Sequence, residues 1–303
     1  MMRTRHRSVE RCGKTFPVSS TKGYFVDATI VIFGLFFLLA IIPATISART
    51  IRRGPPTNIF PDPLRNCSTG WRRGFRPIIL CHPAAEIILS ALASEGVLII
   101  GGGDGGVARE VIKDQRVEHV DLCEIDERVV EVSKQFLPSM AVGFRSDRVR
   151  VVFEDGAKFL AETAPETYDV IIADSSDPDG PAESLFQGEF YKAVGRVLKP
   201  GGIVCFQGES MWLHVDIIKR TLGRVREHFP VVSYASAYIP TYPGGQIGFV
   251  IAAKDEKKNL SDPVWVMSDA EMTGMKLKYY SPGMHKAAFI LPRDLEKKLE
   301  LVH

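Results

Sequence analysis

The chain reads as an α/β protein: a mostly parallel sheet covered on both faces by helices, with an antiparallel pair of last strands, behind an atypical N-terminal segment. Three observations carry that reading. From Gly96 onward, short apolar runs alternate with helix-like stretches, as parallel strands and their crossovers do. The first run ends in Gly101-Gly-Gly-Asp-Gly-Gly106, a glycine turn that opens a helix. The last two runs are joined only by Ile239-Pro-Thr-Tyr-Pro-Gly-Gly245, with no room for a crossover helix, so they pair antiparallel.

Taken in order, the strands fall at residues 97–100, 117–124, 149–153, 168–173, 202–207, 231–238 and 248–253. Their near-continuous Val, Ile and Leu content is that of strands buried on both faces. Helix-like stretches lie between most of them, at 107–113, 127–136, 188–198 and 213–228. Lys199-Pro-Gly-Gly202 is a turn that stops one helix and starts the next strand. The chain of 303 residues divides into an atypical region at 1–95, the α/β domain at 96–255 and a C-terminal segment at 256–303.

The N-terminal region differs in composition from the rest. Residues 28–48 form an apolar run without charge, interrupted only late by Pro43, and about 20 such residues suffice to span a membrane. Basic residues flank it on both sides, so the positive-inside rule assigns no orientation. Three readings stay open: a span, a signal peptide cut near Ser47-Ala48, or a segment foreign to the rest of the chain. Residues 49–76 are rich in Arg, Pro and Gly and read as a linker. The net charge of +2 hides a basic N-terminal part and an acidic stretch at 101–185. No nucleic-acid motif accompanies the basic part, whereas the acidic stretch suits a cationic substrate. The five cysteines, Cys12, Cys67, Cys81, Cys123 and Cys205, are scattered without metal spacing, and a reducing compartment fits them. Asn66 and Asn259 match the glycosylation pattern, which acts only in a secretory lumen.

Chemistry concentrates where the strands end. In open α/β sheets a ligand lies beyond the carboxyl ends of the strands. Those ends carry Gly101, Gly103, Asp104, Glu124, Asp155, Gly156, Asp174 and Gln207. Gly101, Gly103 and Gly106 satisfy the dinucleotide pattern, and Glu124 stands where an acid grips ribose hydroxyls. Asp104 argues against a pyrophosphate, because two anions would share one site; it suits a nucleoside bearing a sulfonium or an amine. Asp155-Gly156 lies where a carboxylate can accept from an exocyclic adenine amine. Asp174-Ser-Ser-Asp177-Pro-Asp-Gly-Pro-Ala-Glu183 crowds carboxylates that raise one another's pKa, a conflict that a cationic substrate removes.

From Val97 to about Ala253 the chain resembles the polyamine aminopropyltransferases. The resemblance rests on the glycine turn, Cys123-Glu-Ile-Asp126, Asp174-Ser-Ser-Asp-Pro178 with Gly180-Pro-Ala-Glu-Ser-Leu-Phe186, and Gln207-Gly-Glu. It extends to Trp212-Leu-His214, Ile239-Pro-Thr-Tyr-Pro243 with Gln246-Ile-Gly248, Lys278-Tyr-Tyr-Ser and His285-Lys-Ala-Ala-Phe-Ile-Leu-Pro292. It implies a methyltransferase-like Rossmann domain that moves an aminopropyl group from decarboxylated S-adenosylmethionine to putrescine, giving spermidine and methylthioadenosine. Spermine synthesis, putrescine N-methylation, or a weakly active or inactive paralogue that binds nucleoside or pairs with an active subunit, are the alternatives. By resemblance, Asp174 is the general base; Gly101, Gly103, Asp104, Glu124, Asp155 and Gly156 bind the donor; Asp177, Tyr242 and Gln207 bind the diamine. No metal or other cofactor is implied, nor a nucleic-acid partner. Residues 28–48 are a candidate membrane anchor, the catalytic domain is expected in the cytoplasm, and a homodimer is expected if the N-terminal region is functional. Asp179 and Glu154 depart from the family, which places an apolar residue and a glycine there. The family's N-terminal β-rich domain carries a Tyr-Gln pair, and none precedes Gly96.

Overall fold

The computed structural model describes residues 95–175, 188–240 and 242–301. The N-terminal apolar run, the linker at 49–76, Asn66 and Asp177 lie outside them. Among the described residues, no helix is long and apolar enough to cross a membrane.

Seven strands form one sheet: β1 (Gly96–Gly101), β2 (His119–Glu124), β3 (Val149–Phe153), β4 (Tyr168–Asp174), β5 (Leu198–Gln207), β6 (Val231–Tyr238) and β7 (Gln246–Ala253). Their order is β3-β2-β1-β4-β5-β7-β6. β1 to β5 are parallel, and β7 runs antiparallel to both β5 and β6, as the short connection requires. The strand order reverses between β1 and β4, the point at which open α/β sheets form a ligand crevice.

The helices are α1 (Gly106–Val111), α2 (Glu127–Phe136), α3 (Gly156–Glu162), α4 (Gly188–Val197), α5 (Val215–Arg226), α6 (Asp269–Gly274), α7 (Pro282–Ala288) and α8 (Arg293–Lys298). Strand side chains alternate between the two faces of the sheet. Leu98 and Ile100 of β1 therefore meet Leu160, Tyr191 and Leu222 from α3, α4 and α5. Val97 and Ile99 face the other way, into a cluster with Val107 and Val111 of α1. All four β1 side chains are buried, each contributing about 1.5–3 kcal/mol relative to exposure. The residues beyond 255 add to both layers: Leu260 and Ala288 on the α1 side, Leu291, Leu295 and Leu299 on the other.

Two differences from the sequence reading have local causes. Residues 199–202 do not separate two elements but loop out within β5, because Leu198 pairs with Tyr168 and Ile203 with Val170. Helix α3 has only seven residues, too few for an apolar period to declare itself. Its start is instead fixed by Asp155, whose carboxylate accepts from Ala157 N and Lys158 N.

Candidate active site

The glycine turn is shaped by its neighbour across the switch point. Gly101 is in register with Asp174. A Cβ on Gly101, which holds φ +81°, would lie 2.1 Å from the Asp174 carbonyl oxygen, so no side chain fits. Gly102 N donates to that same carbonyl at 3.0 Å, and Gly105 N closes the turn on Gly102 O at 2.9 Å. The Asp174 carboxylate stands over the turn, its Oδ2 3.5 Å from where a Gly102 Cβ would sit.

Asp104 then occupies the mouth of α1. Its Oδ1 accepts from Gly106 N at 2.7 Å, so the helix N-terminus that would receive a phosphate already holds a carboxylate. A pyrophosphate here would meet that charge; an ammonium would be attracted by it.

Glu124 closes the turn from β2. Its Oε2 accepts from Gly103 N and its Oε1 from Asp126 N, both at 3.1 Å. A Cβ on Gly103 would approach Oε2 to 2.7 Å, which is why glycine is needed for Glu124 to reach in. Burial pushes the Glu124 carboxyl above its ordinary range, offset in part by the N–H groups of Asp126, Gly103 and Ile125. Ile125, 56 % exposed, is an apolar side chain left bare beside these polar groups. Asp155 holds the next loop as the cap of α3, with Gly156 the first residue of that helix. Cys123 is no nucleophile: burial and then the Glu154 and Glu124 carboxylates push its thiol up to about 12.

The other side of the crevice is built from β5 and the β6–β7 connection. Ala173 pairs with Phe206, so Asp174 and Gln207 end neighbouring strands. Tyr242 lies 3.5 Å from Gln207 Nε2 and donates its hydroxyl to Glu209 Oε2 at 3.1 Å. His214 Nδ1 is 2.8 Å from the same oxygen. Glu209 is 7 % exposed and takes the left-handed conformation at φ +56°. Its carbonyl accepts from Tyr234 OH at 3.0 Å and Gly248 N at 2.7 Å, which holds the strained backbone in place.

The structure thus gathers Gly101, Gly103, Asp104, Glu124, Asp155, Gly156 and Asp174 at the ends of β1 to β4, and joins Gln207 to Tyr242. Glu209 and His214 are the additions. Both stand in motifs the sequence displays, Gln207-Gly-Glu and Trp212-Leu-His214, but only the meeting with Tyr242 reveals a network.

A family profile described as spermine/spermidine synthase domain matches residues 85–262. Spermidine synthase of Schizosaccharomyces pombe is 50 % identical over 205 residues, 67 % of this chain and 68 % of the relative. Spermidine synthase 2 of Arabidopsis thaliana is 46 % identical over 210 residues, 67 % of this chain and 62 % of the relative, so the match spans about two thirds of these proteins' length. A crystal structure of spermidine synthase in complex with the transition-state analogue AdoDATO superposes with a TM-score of 0.65 and 32 % identity, covering 75 % of each chain.

Proposed function

Because the chain belongs to the spermine/spermidine synthase family, we propose that it transfers the aminopropyl group of decarboxylated S-adenosylmethionine to putrescine. The observation that carries this reading is the contact at the switch point, where the Asp174 carboxylate stands over the glycine turn. It puts a base for the acceptor against the binding loop for the donor.

In this reading Glu124 grips the ribose hydroxyls, Asp155 and Gly156 meet the adenine edge, Ile125 offers the base an apolar face, and Asp104 pairs with the aminopropyl ammonium. Putrescine carries two ammonium groups near neutral pH, and the attacking one must lose a proton first. Asp174 accepts that proton. The freed nitrogen lone pair forms a bond to the aminopropyl carbon next to sulfur. The carbon–sulfur bond breaks, its electron pair neutralises the sulfonium, and methylthioadenosine leaves. The new nitrogen carries the positive charge until it releases a proton. The sulfonium is already a good leaving group, so alignment of the two substrates supplies much of the remaining rate.

The far ammonium of the diamine needs a second anion. Glu209, buried against Tyr242, is the acid at the neighbouring strand end, and Gln207 and Asp177 complete the acceptor side. The reaction uses no metal and no resident cofactor. Both substrates are water-soluble, which supports a catalytic domain working in the cytosol, whether or not residues 28–48 anchor it. The expected homodimer belongs to the same reading.

Purified full-length chain incubated with decarboxylated S-adenosylmethionine and putrescine should yield spermidine and methylthioadenosine in equal amounts, resolved by mass spectrometry. Absence of both products overturns the reading. In cells, Asn259 should carry no glycan; a sugar there would place the domain in a lumen instead.

A further inference from the structure

His214 has no local task that explains its place. It stands at the N-cap of α5, a position that favours Ser, Thr, Asp and Asn, yet its side chain makes no capping bond. Its Nδ1 is buried without hydrogen-bond geometry to any partner, although Glu209 Oε2 lies only 2.8 Å away. The contact is therefore one of proximity, poised to tighten when a ligand fixes the carboxylate. Glu209 cannot choose its own direction at the backbone, since Tyr234 and Gly248 pin its carbonyl. Its side chain is steered by Tyr242 and His214, and both contacts fall on Oε2. Oε1 is the oxygen left for an ammonium.

We propose that His214 is a positioning residue of the acceptor site, holding the Glu209 carboxylate beside Tyr242 so that Oε1 meets the far ammonium of the diamine. This role rests on the reaction proposed above. Two groups on one oxygen fix the rotation of a carboxylate in a way that one cannot.

The test is steady-state kinetics of the full chain with putrescine and decarboxylated S-adenosylmethionine. His214→Ala should raise KM for putrescine about tenfold, the value of one hydrogen bond to a charged group. The kcat and the KM for the donor should stay near wild type. His214→Asn, whose amide nitrogen falls near the place of Nδ1, should restore most of the loss, while His214→Gln should not. In a Glu209→Gln background, His214→Ala should add nothing further. The Asn-against-Gln comparison retains its force if the alanine variant folds poorly. Unchanged putrescine KM in an active His214→Ala enzyme overturns the role of His214 alone, as do independent, multiplying effects of the two substitutions. No transfer by the wild-type chain overturns the reaction and this role with it.

Discussion

On the donor side of the crevice every carboxylate is held by backbone N–H groups, whereas on the acceptor side one side chain holds another. Asp104 takes Gly106 N, Glu124 takes Gly103 N and Asp126 N, and Asp155 takes Ala157 N and Lys158 N. These donors belong to turns and helix starts that the fold fixes, so the half proposed to hold the nucleoside has its carboxylates placed by the backbone itself. Gln207, Tyr242, Glu209 and His214 depend on rotamers instead. The adenosyl part of the donor does not vary, while amine acceptors differ in length. A backbone cradle on one side and an adjustable side-chain network on the other match that division.

The largest effect should come from the residue that belongs to both halves. Asp174→Asn keeps the shape and the backbone contact to Gly102 but removes the base. Turnover should fall by about 10²–10⁴-fold with donor affinity little changed, measured by single-turnover kinetics and calorimetry. Intact turnover would dissolve the junction on which the comparison rests. Next comes Gly101→Ala. The added Cβ would meet the Asp174 carbonyl oxygen at 2.1 Å in a left-handed backbone, so β1 and β4 must part at their ends. A loss of about 2–3 kcal/mol in denaturant unfolding, with weakened donor and acceptor binding together, is expected; a wild-type midpoint would show that the two halves are not in contact there.

The same contrast explains what could be read in advance. The central strands were legible because burial on both faces leaves continuous apolar runs, and Asp104 and Asp155 because each bonds a few residues along the chain. Asp104 to Gly106 and Asp155 to Ala157 are local turn and cap geometries. The acceptor network joins Tyr242 to residues 33 and 35 positions away, and no local pattern encodes that. Glu209 hid for this reason: as a lone acid after a strand it looks like a solvated end. The short helices near the C-terminus escaped periodicity altogether. Yet Ser268 and Glu271 form a full capping box before α6, and Ser281-Pro282 starts α7. Capping chemistry marks helices too short to show an apolar face.

Glu124→Gln tests whether the donor half is as buried as it looks. Donor affinity should fall about tenfold as a charged acceptor for the ribose is lost, while KM for putrescine moves little. The pH dependence gives an independent check. Burial raises the folded pKa of Glu124 above its unfolded value of 4.5. A raised acid favours folding in its protonated form. That contribution is full below the unfolded pKa and is lost as pH rises through the folded one. Glutamine cannot ionise and lacks this slope. The melting temperature of Glu124→Gln relative to wild type should therefore be higher near pH 7 than near pH 4. A difference that does not change with pH would mean that the carboxylate stands in water.

The smallest effect is expected from Tyr242→Phe, and its size is what separates the two halves. The ring stays, so packing and fold should be untouched; only the hydroxyl between Gln207 and Glu209 is removed. Its bonds to Gln207 and Glu209 are long, 3.5 Å and 3.1 Å, and although the second reaches a carboxylate, at these lengths each contributes only about 0.5–1.5 kcal/mol. Glu209 also keeps His214 as a second restraint. The putrescine KM should accordingly rise only about two- to fivefold, with kcat and donor affinity at wild-type values. Longer diamines should be discriminated less sharply than by the wild type, because the freed carboxylate can swing to meet a displaced ammonium. A hundredfold loss of kcat would put the hydroxyl in the chemistry beside Asp174. A loss of donor affinity would mean that the acceptor network also shapes the nucleoside cradle, and the rigid and adjustable halves would be one structure.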